Sequence, residues 1–133
     1  MSAREPGPPP APGPPAPDVL LDVEFDRGLL FLVIANVGGR PATAVQVRFE
    51  KPFRGLGGTV DMAALRLFRK IEFLPAGKEI RTLLDSSASY FARREPVKLA
   101  ATIAWRDEQG GRRERRIVHD LAIYRELAYV VER

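Results

Sequence analysis

Residues 29–50, LLFLVIANVGGRPATAVQVRFE, contain the pattern of two strands joined by a turn. The first six of these residues are apolar at every position, which is typical of a central strand covered on both faces. From Ala44 onward apolar and polar residues alternate, so one side of this strand faces a core and the other faces water. Between the strands lie Asn36, Gly38 and Pro41, residue types that adopt or fix the backbone angles of a turn. The stretch therefore predicts antiparallel sheet structure.

This turn and its surroundings resemble a known family. Residues 35–47 are similar to the N-x-G-x-x-x-A-x-x-V-x-V stretch of bacterial immunoglobulin-like modules of the CARDB kind. Residues 73–79, FLPAGKE, look like the L-x-P-G-E turn of these modules with Ala76 inserted, and residues 103–112 resemble their late hairpin. The resemblance, which spans about residues 19–121, implies an immunoglobulin-like sandwich with a non-catalytic adhesion, spacer or docking role. It carries over no set of binding residues.

The remaining sequence predicts an all-β, immunoglobulin-like antiparallel β-sandwich of about seven strands. Residues 21–25 alternate, and the turn at Asp26, Arg27 and Gly28 predicts a hairpin into the strand that begins at Leu29. Turns, rather than long helices, separate the strands, which favours a sandwich over a parallel α/β sheet. The further strands are predicted at 69–74, 79–84, 97–106 and 113–123, and short helical segments are predicted at 61–68 and 86–94.

The inward residues of these strands define a predicted core. Where apolar and polar residues alternate, the apolar set is assigned to the inside of the sandwich. Trp105 is in phase with the other apolar residues of its strand and is therefore assigned to the core. The full set is Val23, Phe25, Phe31, Val33, Val45, Val47, Phe49, Leu99, Ile103 and Trp105.

The chain of 133 residues accommodates one such domain after a proline-rich segment. Residues 1–17 hold most of the 12 prolines and no core-forming side chain, so we predict a disordered tail with polyproline bias. No arginine stands where a PxxP ligand would need one, and a linker or tail is preferred over a ligand. Residues 18–133 are predicted to form the sandwich domain.

Catalytic and metal chemistry find little support in the residue types. The chain has no cysteine, which excludes disulfides and thiolate metal sites, and its one histidine excludes a site with several histidines. His119 could form a hydrolytic set with Asp120, or with Asp85 and Ser86, but no G-x-S-x-G motif exposes a nucleophile. We therefore predict no catalytic residues, no metal, no cofactor and no enzymatic activity.

Two further patterns suggest ion or phosphate binding only superficially. Asp22, Glu24 and Asp26 alternate along a predicted strand, which places them on a solvated face, and no calcium-binding loop motif surrounds them. The glycines of residues 54–58 lack the following lysine and hydroxyl residue of a phosphate-binding loop. That segment is interpreted as a mobile loop between strands.

No segment of the sequence is apolar for the ~20 residues that a membrane helix needs, and no export signal is recognisable at the N-terminus. We predict no membrane span. The expected location is the cytoplasm, although the lack of cysteine is also compatible with export.

The strongest charged feature is a cluster of five arginines on the predicted late hairpin. With a net charge of +4 and a pI near 9.8, the chain could use it to contact an anionic partner. Strand alternation splits the cluster between two faces, and no aromatic residue is interleaved for base stacking, so a solvated edge is the alternative interpretation. The cluster consists of Arg106, Arg112, Arg113, Arg115 and Arg116.

The C-terminal segment offers an apolar partner patch of Tyr124, Leu127, Tyr129 and Val130. We prefer the alternative in which this segment packs along the sandwich in an extended or irregular conformation rather than as a helix. Together these features predict a non-catalytic module whose partner is another protein. A basic nucleic-acid-binding domain that uses the hairpin from Arg112 to Arg116 is the alternative function.

Overall fold

Residues 15–127 are described by a computed structural model, and strands dominate them. The helices are short, namely α1 (Arg66–Arg69), α2 (Ser87–Ala92) and 3-10 turns at Leu56–Gly58, Met62–Ala64 and Leu121–Tyr124. None of the helices in this part of the chain could span a membrane. The strands are β1 (Val19–Asp26), β2 (Leu29–Asn36), β3 (Ala42–Phe49), β4 (Arg54–Gly55), β5 (Val60–Asp61), β6 (Ile71–Leu74), β7 (Glu79–Ser86), β8 (Lys98–Arg106) and β9 (Arg112–Asp120).

Seven strands form the two main sheets. One sheet has the order β1-β2-β7 and the other the order β6-β3-β8-β9, while β4 and β5 form a small separate hairpin. Every strand pair in the described residues is antiparallel. The chain passes from the first sheet to the second after β2, returns for β7 and crosses again to β8. The predicted all-β, immunoglobulin-like sandwich of about seven strands is confirmed.

The core lies between the two sheets and is closed at one end by the segments between β3 and β6. Leu30, Leu32 and Ile34 of β2 face Val45, Val47 and the inward residues of β8 in one buried cluster. Phe53, Met62 and Phe68, which belong to the connecting segments, complete it and are each about 1% exposed. Trp105 is 4% exposed within the same cluster, as predicted.

The prediction was wrong about which alternate residues of β2 face the core. Phe31 and Val33 lie on the outer face of the three-stranded sheet, because the alternate residues Leu30, Leu32 and Ile34 point inward. Val33 is nevertheless buried, with 2% of it exposed. The guanidinium of Arg81 lies 3.6 Å from the centre of the Phe31 ring and covers it. Because β2 is apolar on both faces, alternation within this strand carries no information about which set faces the core.

The predicted turn after β1 is confirmed, and of the two predicted helical segments one begins with a side-chain cap. Arg27 and Gly28 have φ angles of 50° and 82°, so they form the two-residue turn that joins β1 to β2. The Ser86 hydroxyl accepts a hydrogen bond from the Ser89 amide at 3.1 Å and caps α2. Asp61 stands at the start of the first 3-10 segment after β5, but its side chain makes no capping bond.

The hydrogen bonds of the Asn36 side chain give the N-x-G motif a structural role. Its side-chain amide donates to the carbonyls of Arg40 at 2.8 Å and Leu74 at 3.1 Å. Its side-chain oxygen accepts from the amides of Asp18 at 3.1 Å and Gly38 at 3.0 Å. This residue is 1% exposed, and its bonds join β2 of one sheet to β6 of the other. Asn36 therefore fixes the turn and the two sheets together.

Residues 15–17, the described part of the predicted tail, run beside this turn. The Gly39 amide donates to the Ala16 carbonyl at 3.0 Å, and Pro17 is buried. A Cβ atom on Gly38 would lie 2.2 Å from the Ala16 oxygen, so only glycine allows this close approach. Residues 1–14, for which a disordered tail was predicted, lie outside the described residues.

Candidate interaction surface

The outer face of the four-stranded sheet has short side chains along its middle. In β8 the residues Leu99, Ala101, Ile103 and Trp105 point into the core, so the alternate residues point outward. The central outward residues are Ala100, Thr102 and Ala104. Because the neighbouring strands carry longer side chains, a trough runs along β8.

The register of the sheet places charged residues on both sides of this trough. Thr102 pairs with Arg48 of β3 and with Arg116 of β9, and Ala104 pairs with Glu114. A cavity of about 230 Å³ lies over Ala100, and one of about 180 Å³ lies near Ala104. The first cavity is lined by Phe49, Glu50, Lys51, Lys98, Leu99, Ala100, Arg116 and Val118, the second by Ala44, Gln46, Lys70, Ala104, Trp105, Arg106 and Arg112.

An ion pair crosses the trough between its two walls. Arg116 binds Glu50 through two nitrogens, with Nη2 at 2.8 Å from Oε2 and Nε at 3.1 Å from the same oxygen. Glu50 directly follows β3, and its amide donates to the Ala100 carbonyl at 2.9 Å. Because β3 and β9 flank β8 on opposite sides, the pair passes over β8 close to Ala100.

Positive charge is in excess on this surface. Glu50 is bound to Arg116, and Glu114 lies 3.4 Å from Arg112. Arg48, Lys51 and Lys98 have no carboxylate within 4.0 Å among residues 15–127. Asp120, which pairs in register with Lys98, accepts a hydrogen bond from the Ala122 amide. Each of these carboxylates therefore has a partner within this chain, while several cations beside the trough are available to an anionic partner.

The predicted arginine cluster is divided as strand alternation indicated. Arg106, Arg112 and Arg116 lie on the outer face, whereas Arg113 and Arg115 are opposite Trp105 and Ile103 and project from the other side of β9. Arg115 binds the Asp18 carboxylate at 2.5 Å, and its guanidinium lies 5.7 Å from the Trp105 ring centre. Arg113 lines a separate cavity beside residues 15–17.

The proposed C-terminal apolar patch is only partly within the described residues. Tyr124 stacks on Phe25, with ring centres 5.8 Å apart, and donates its hydroxyl to the Val23 carbonyl at 3.1 Å. This ring is therefore used inside the protein, along the edge of β1. Leu127 is 50% exposed, and Tyr129 and Val130 lie outside the described residues.

The residues considered for a hydrolytic set have separate partners. Nε2 of His119 lies 2.7 Å from the Leu21 carbonyl oxygen on β1. Asp85 is on β7, on the other side of β2, where it binds Arg93 at 2.8 Å and the amide of Ser86 at 2.8 Å. The Asp120 side chain caps the turn at Leu121–Tyr124. Residues 15–127 contain no cluster of acidic residues and histidine that could hold a metal ion.

Comparison with protein families gives one assignment. The family described as "Domain of unknown function (DUF8453)" matches residues 15–125. The chain belongs to this family. The matched region includes both sheets, the trough and the last 3-10 turn, so the family is defined over the whole sandwich. No curated protein matches the chain, and no solved structure matches it.

Sequence reasoning missed a buried polar network that anchors the glycine-rich loop of this DUF8453 domain. Asp85 is 4% exposed, and its carboxylate accepts from the Gly57 amide at 3.2 Å. Arg93, which binds Asp85, also donates to the Arg54 carbonyl at 3.0 Å, and Glu95 accepts from the Arg54 amide at 2.9 Å. The Gly57 amide thus binds an internal carboxylate, and the loop is anchored rather than free.

Tyr90 packs beside this network. Its hydroxyl donates to the Pro96 carbonyl at 2.6 Å, and the residue is 1% exposed. Burial, together with the nearby carboxylate of Glu95, raises the pKa of Tyr90 above its ordinary value. The neutral phenol is therefore strongly preferred in the folded protein.

This preference predicts a loss of stability in alkali. Above about pH 10 tyrosine ionises in the unfolded chain while Tyr90 keeps its proton in the folded chain, so unfolding releases protons and becomes easier as pH rises. Chemical denaturation between pH 8 and pH 11 should show a steeper decline for the natural chain than for Tyr90→Phe. Parallel declines for the two proteins would contradict the burial of this phenol.

Proposed function

We propose that this chain is a non-catalytic module, CARDB-like in kind, that binds another protein through the outer face of β3, β8 and β9. The trough along β8 is the observation that carries the proposal. Small residues at the centre of an exposed sheet leave space for side chains of a partner, and the half-exposed Val118 adds apolar surface beside it. The Asn36 turn supports the CARDB-like part of the proposal, since it gives the shared motif a structural role.

Nucleic-acid binding by the arginine hairpin is the competing function, and the contacts of the arginines favour it less. Arg113 and Arg115 project from the opposite side of β9 to Arg112 and Arg116, and Arg115 contacts Asp18 and the Trp105 ring there, so the cluster does not present its charge on one surface. Trp105 is buried, and Phe73, the exposed aromatic residue of the four-stranded sheet in the described chain, lies on β6 at the opposite edge from β9. The cluster therefore lacks a neighbouring aromatic platform for bases.

Filling the trough should abolish binding of the partner. In the variant Ala100→Tyr a large side chain occupies the cavity over β8, whereas in Leu83→Tyr the same residue stands on the exposed outer face of the other sheet. Each immobilised protein is exposed to a nuclease-treated extract of the source organism, and the retained proteins are identified by mass spectrometry. We expect the natural chain and Leu83→Tyr to retain the same protein and Ala100→Tyr to lose it.

Two results would overturn the proposal. One is equal retention of that protein by Ala100→Tyr, provided thermal denaturation shows that all three proteins are folded. The other is that no protein is retained from the nuclease-treated extract, whereas nucleic acid is recovered from an untreated extract. That result would establish the alternative function.

A further inference from the structure

The ion pair that crosses the trough suggests what kind of partner binds there. We infer that the partner presents an extended acidic segment, and that one of its carboxylates replaces Glu50 on Arg116. This inference rests on the proposed function, because it assigns the chemistry of the partner to the same surface. In the free protein, Glu50 occupies the place on Arg116 that the partner's carboxylate takes in the complex.

The geometry of Arg116 supports an exchange of carboxylates. Its guanidinium already binds both oxygens of Glu50, with Nε 3.1 Å from Oε2 and Nη2 3.1 Å from Oε1, which is the fork arrangement that Arg makes with any carboxylate. The two side chains are 58% and 47% exposed, so the pair lies in contact with water. Exposed ion pairs contribute little to stability, and this one can open without disturbing the fold.

The position of the pair supports the same conclusion. It crosses β8 close to Ala100, and both of its residues line the cavity over Ala100. When Arg116 releases Glu50, the pair no longer crosses the trough along the strand. From Ala100 to Ala104 this trough is about 13 Å long, at roughly 3.3 Å per residue, and matches four to five residues of an extended chain.

The charged side chains beside the trough indicate that the partner's segment is acidic. Arg48 and Lys98 lie along the trough and have no carboxylate partner among residues 15–127, while Glu114 and Glu50 are engaged with arginines of this chain. A neutral segment would leave these cations uncompensated, and a basic one would add to the repulsion. An extended segment with acidic residues at alternate positions places its carboxylates towards both walls.

The exchange predicts a gain of affinity when the internal competitor is removed. The probe is a fluorescent peptide of about eight residues, the length of a short strand, in which glutamate and serine alternate. We expect Glu50→Gln to bind it up to about fivefold more tightly than the natural chain, since the competing ion pair is worth at most that factor. Arg116→Gln should weaken binding by up to about fivefold, because the guanidinium that binds the peptide carboxylate is lost.

A control variant distinguishes the exchange of carboxylates on Arg116 from the general effect of removing one negative charge. Glu79→Gln removes the same charge from β7, at the exposed end of the other sheet, and should change the affinity by less than about twofold. A second peptide, in which glutamine replaces glutamate, should bind none of the proteins. Fluorescence anisotropy at physiological salt measures all of these affinities.

Three results would overturn the inference. They are equal gains for Glu50→Gln and Glu79→Gln, equal binding of the glutamine peptide, and absence of binding of the acidic peptide to both the natural chain and Glu50→Gln. If Ala100→Tyr nevertheless loses the captured protein, the proposed function stands and only the acidic chemistry is wrong. If single-stranded DNA binds the natural chain more tightly than the acidic peptide, the proposed function fails as well.

Discussion

Replacement of Trp105 by alanine is expected to lower the free energy of unfolding by about 3 to 5 kcal/mol, the range for large aromatic residues in cores. The ring is 4% exposed and belongs to the cluster that both sheets share. Since a domain of this size has a margin of ~5 to 15 kcal/mol, the variant should lose a large part of its stability. Equilibrium denaturation with urea, followed by circular dichroism, measures the difference.

A matched variant separates volume from hydrogen bonding at this position. Nε1 of Trp105 is buried and has no hydrogen-bond partner within residues 15–127. Trp105→Phe therefore loses volume but no internal hydrogen bond, and should cost much less than Trp105→Ala, about 1 kcal/mol. A value for Trp105→Ala within about 0.5 kcal/mol of the natural chain would place the ring on the surface and contradict the fold.

Replacement of Asn36 by alanine is expected to cost about 2 to 4 kcal/mol, although the side chain is small. Four hydrogen bonds of the side chain are lost, and the carbonyl of Leu74 is left buried without this donor. The effect should exceed that of an ordinary turn residue because the bonds join the two sheets. Urea denaturation of Asn36→Ala beside the natural chain tests this expectation.

Asn36→Asp gives a sharper test because it keeps the shape and changes only the donors. A carboxylate at this position would face the carbonyl oxygens of Arg40 and Leu74, where the natural amide donates. Its pKa in the folded chain is therefore raised above the unfolded value of about 3.9, and the cost of the substitution is largest at neutral pH. The deficit should shrink as pH falls through the raised pKa of the folded chain and be smallest below about pH 4, where the acid becomes protonated in both states. A deficit independent of pH would contradict the assigned hydrogen bonds.

Several elements of the fold could be predicted because their signals are local. The turn at Arg27 and Gly28, the cap of Ser86 and the alternation of β3 and β8 depend on a few neighbouring residues. The sequence also contains the information about which alternate residues of β2 face the core, but the prediction did not use it. A two-residue turn after Asp26 pairs Val23 with Leu32, so the inward residues of β1 identify those of β2.

The candidate site could be predicted only in part, for a physical reason. Alternation alone places Arg112 and Arg116 on one face and Arg113 and Arg115 on the other, and it points Ala100 outward. Which side chains stand beside Ala100 depends on the order of strands in the sheet, and no local pattern specifies that order.

Contacts between distant residues account for the rest of what sequence reasoning missed. Glu50 and Arg116 are 66 positions apart, and the partners of Asp85 come from the 3-10 turn Leu56–Gly58 and from Arg93, which follows α2. Such ion pairs follow from tertiary packing, which brings β3 and β9 to the two sides of β8. Residue types suggested an arginine cluster, but only the fold shows which of its charges are engaged.

The most direct measurement of the central claim is a map of amide chemical shifts on the isotopically labelled protein while the captured partner is added. We expect the shift changes to concentrate on the outward residues of β8 and on Arg48 and Arg116 beside them, and we expect none at Phe31 and Leu83 on the opposite outer face. Shifts confined to the outer face of the three-stranded sheet, or to residues 107–111 at the hairpin tip, would contradict that claim.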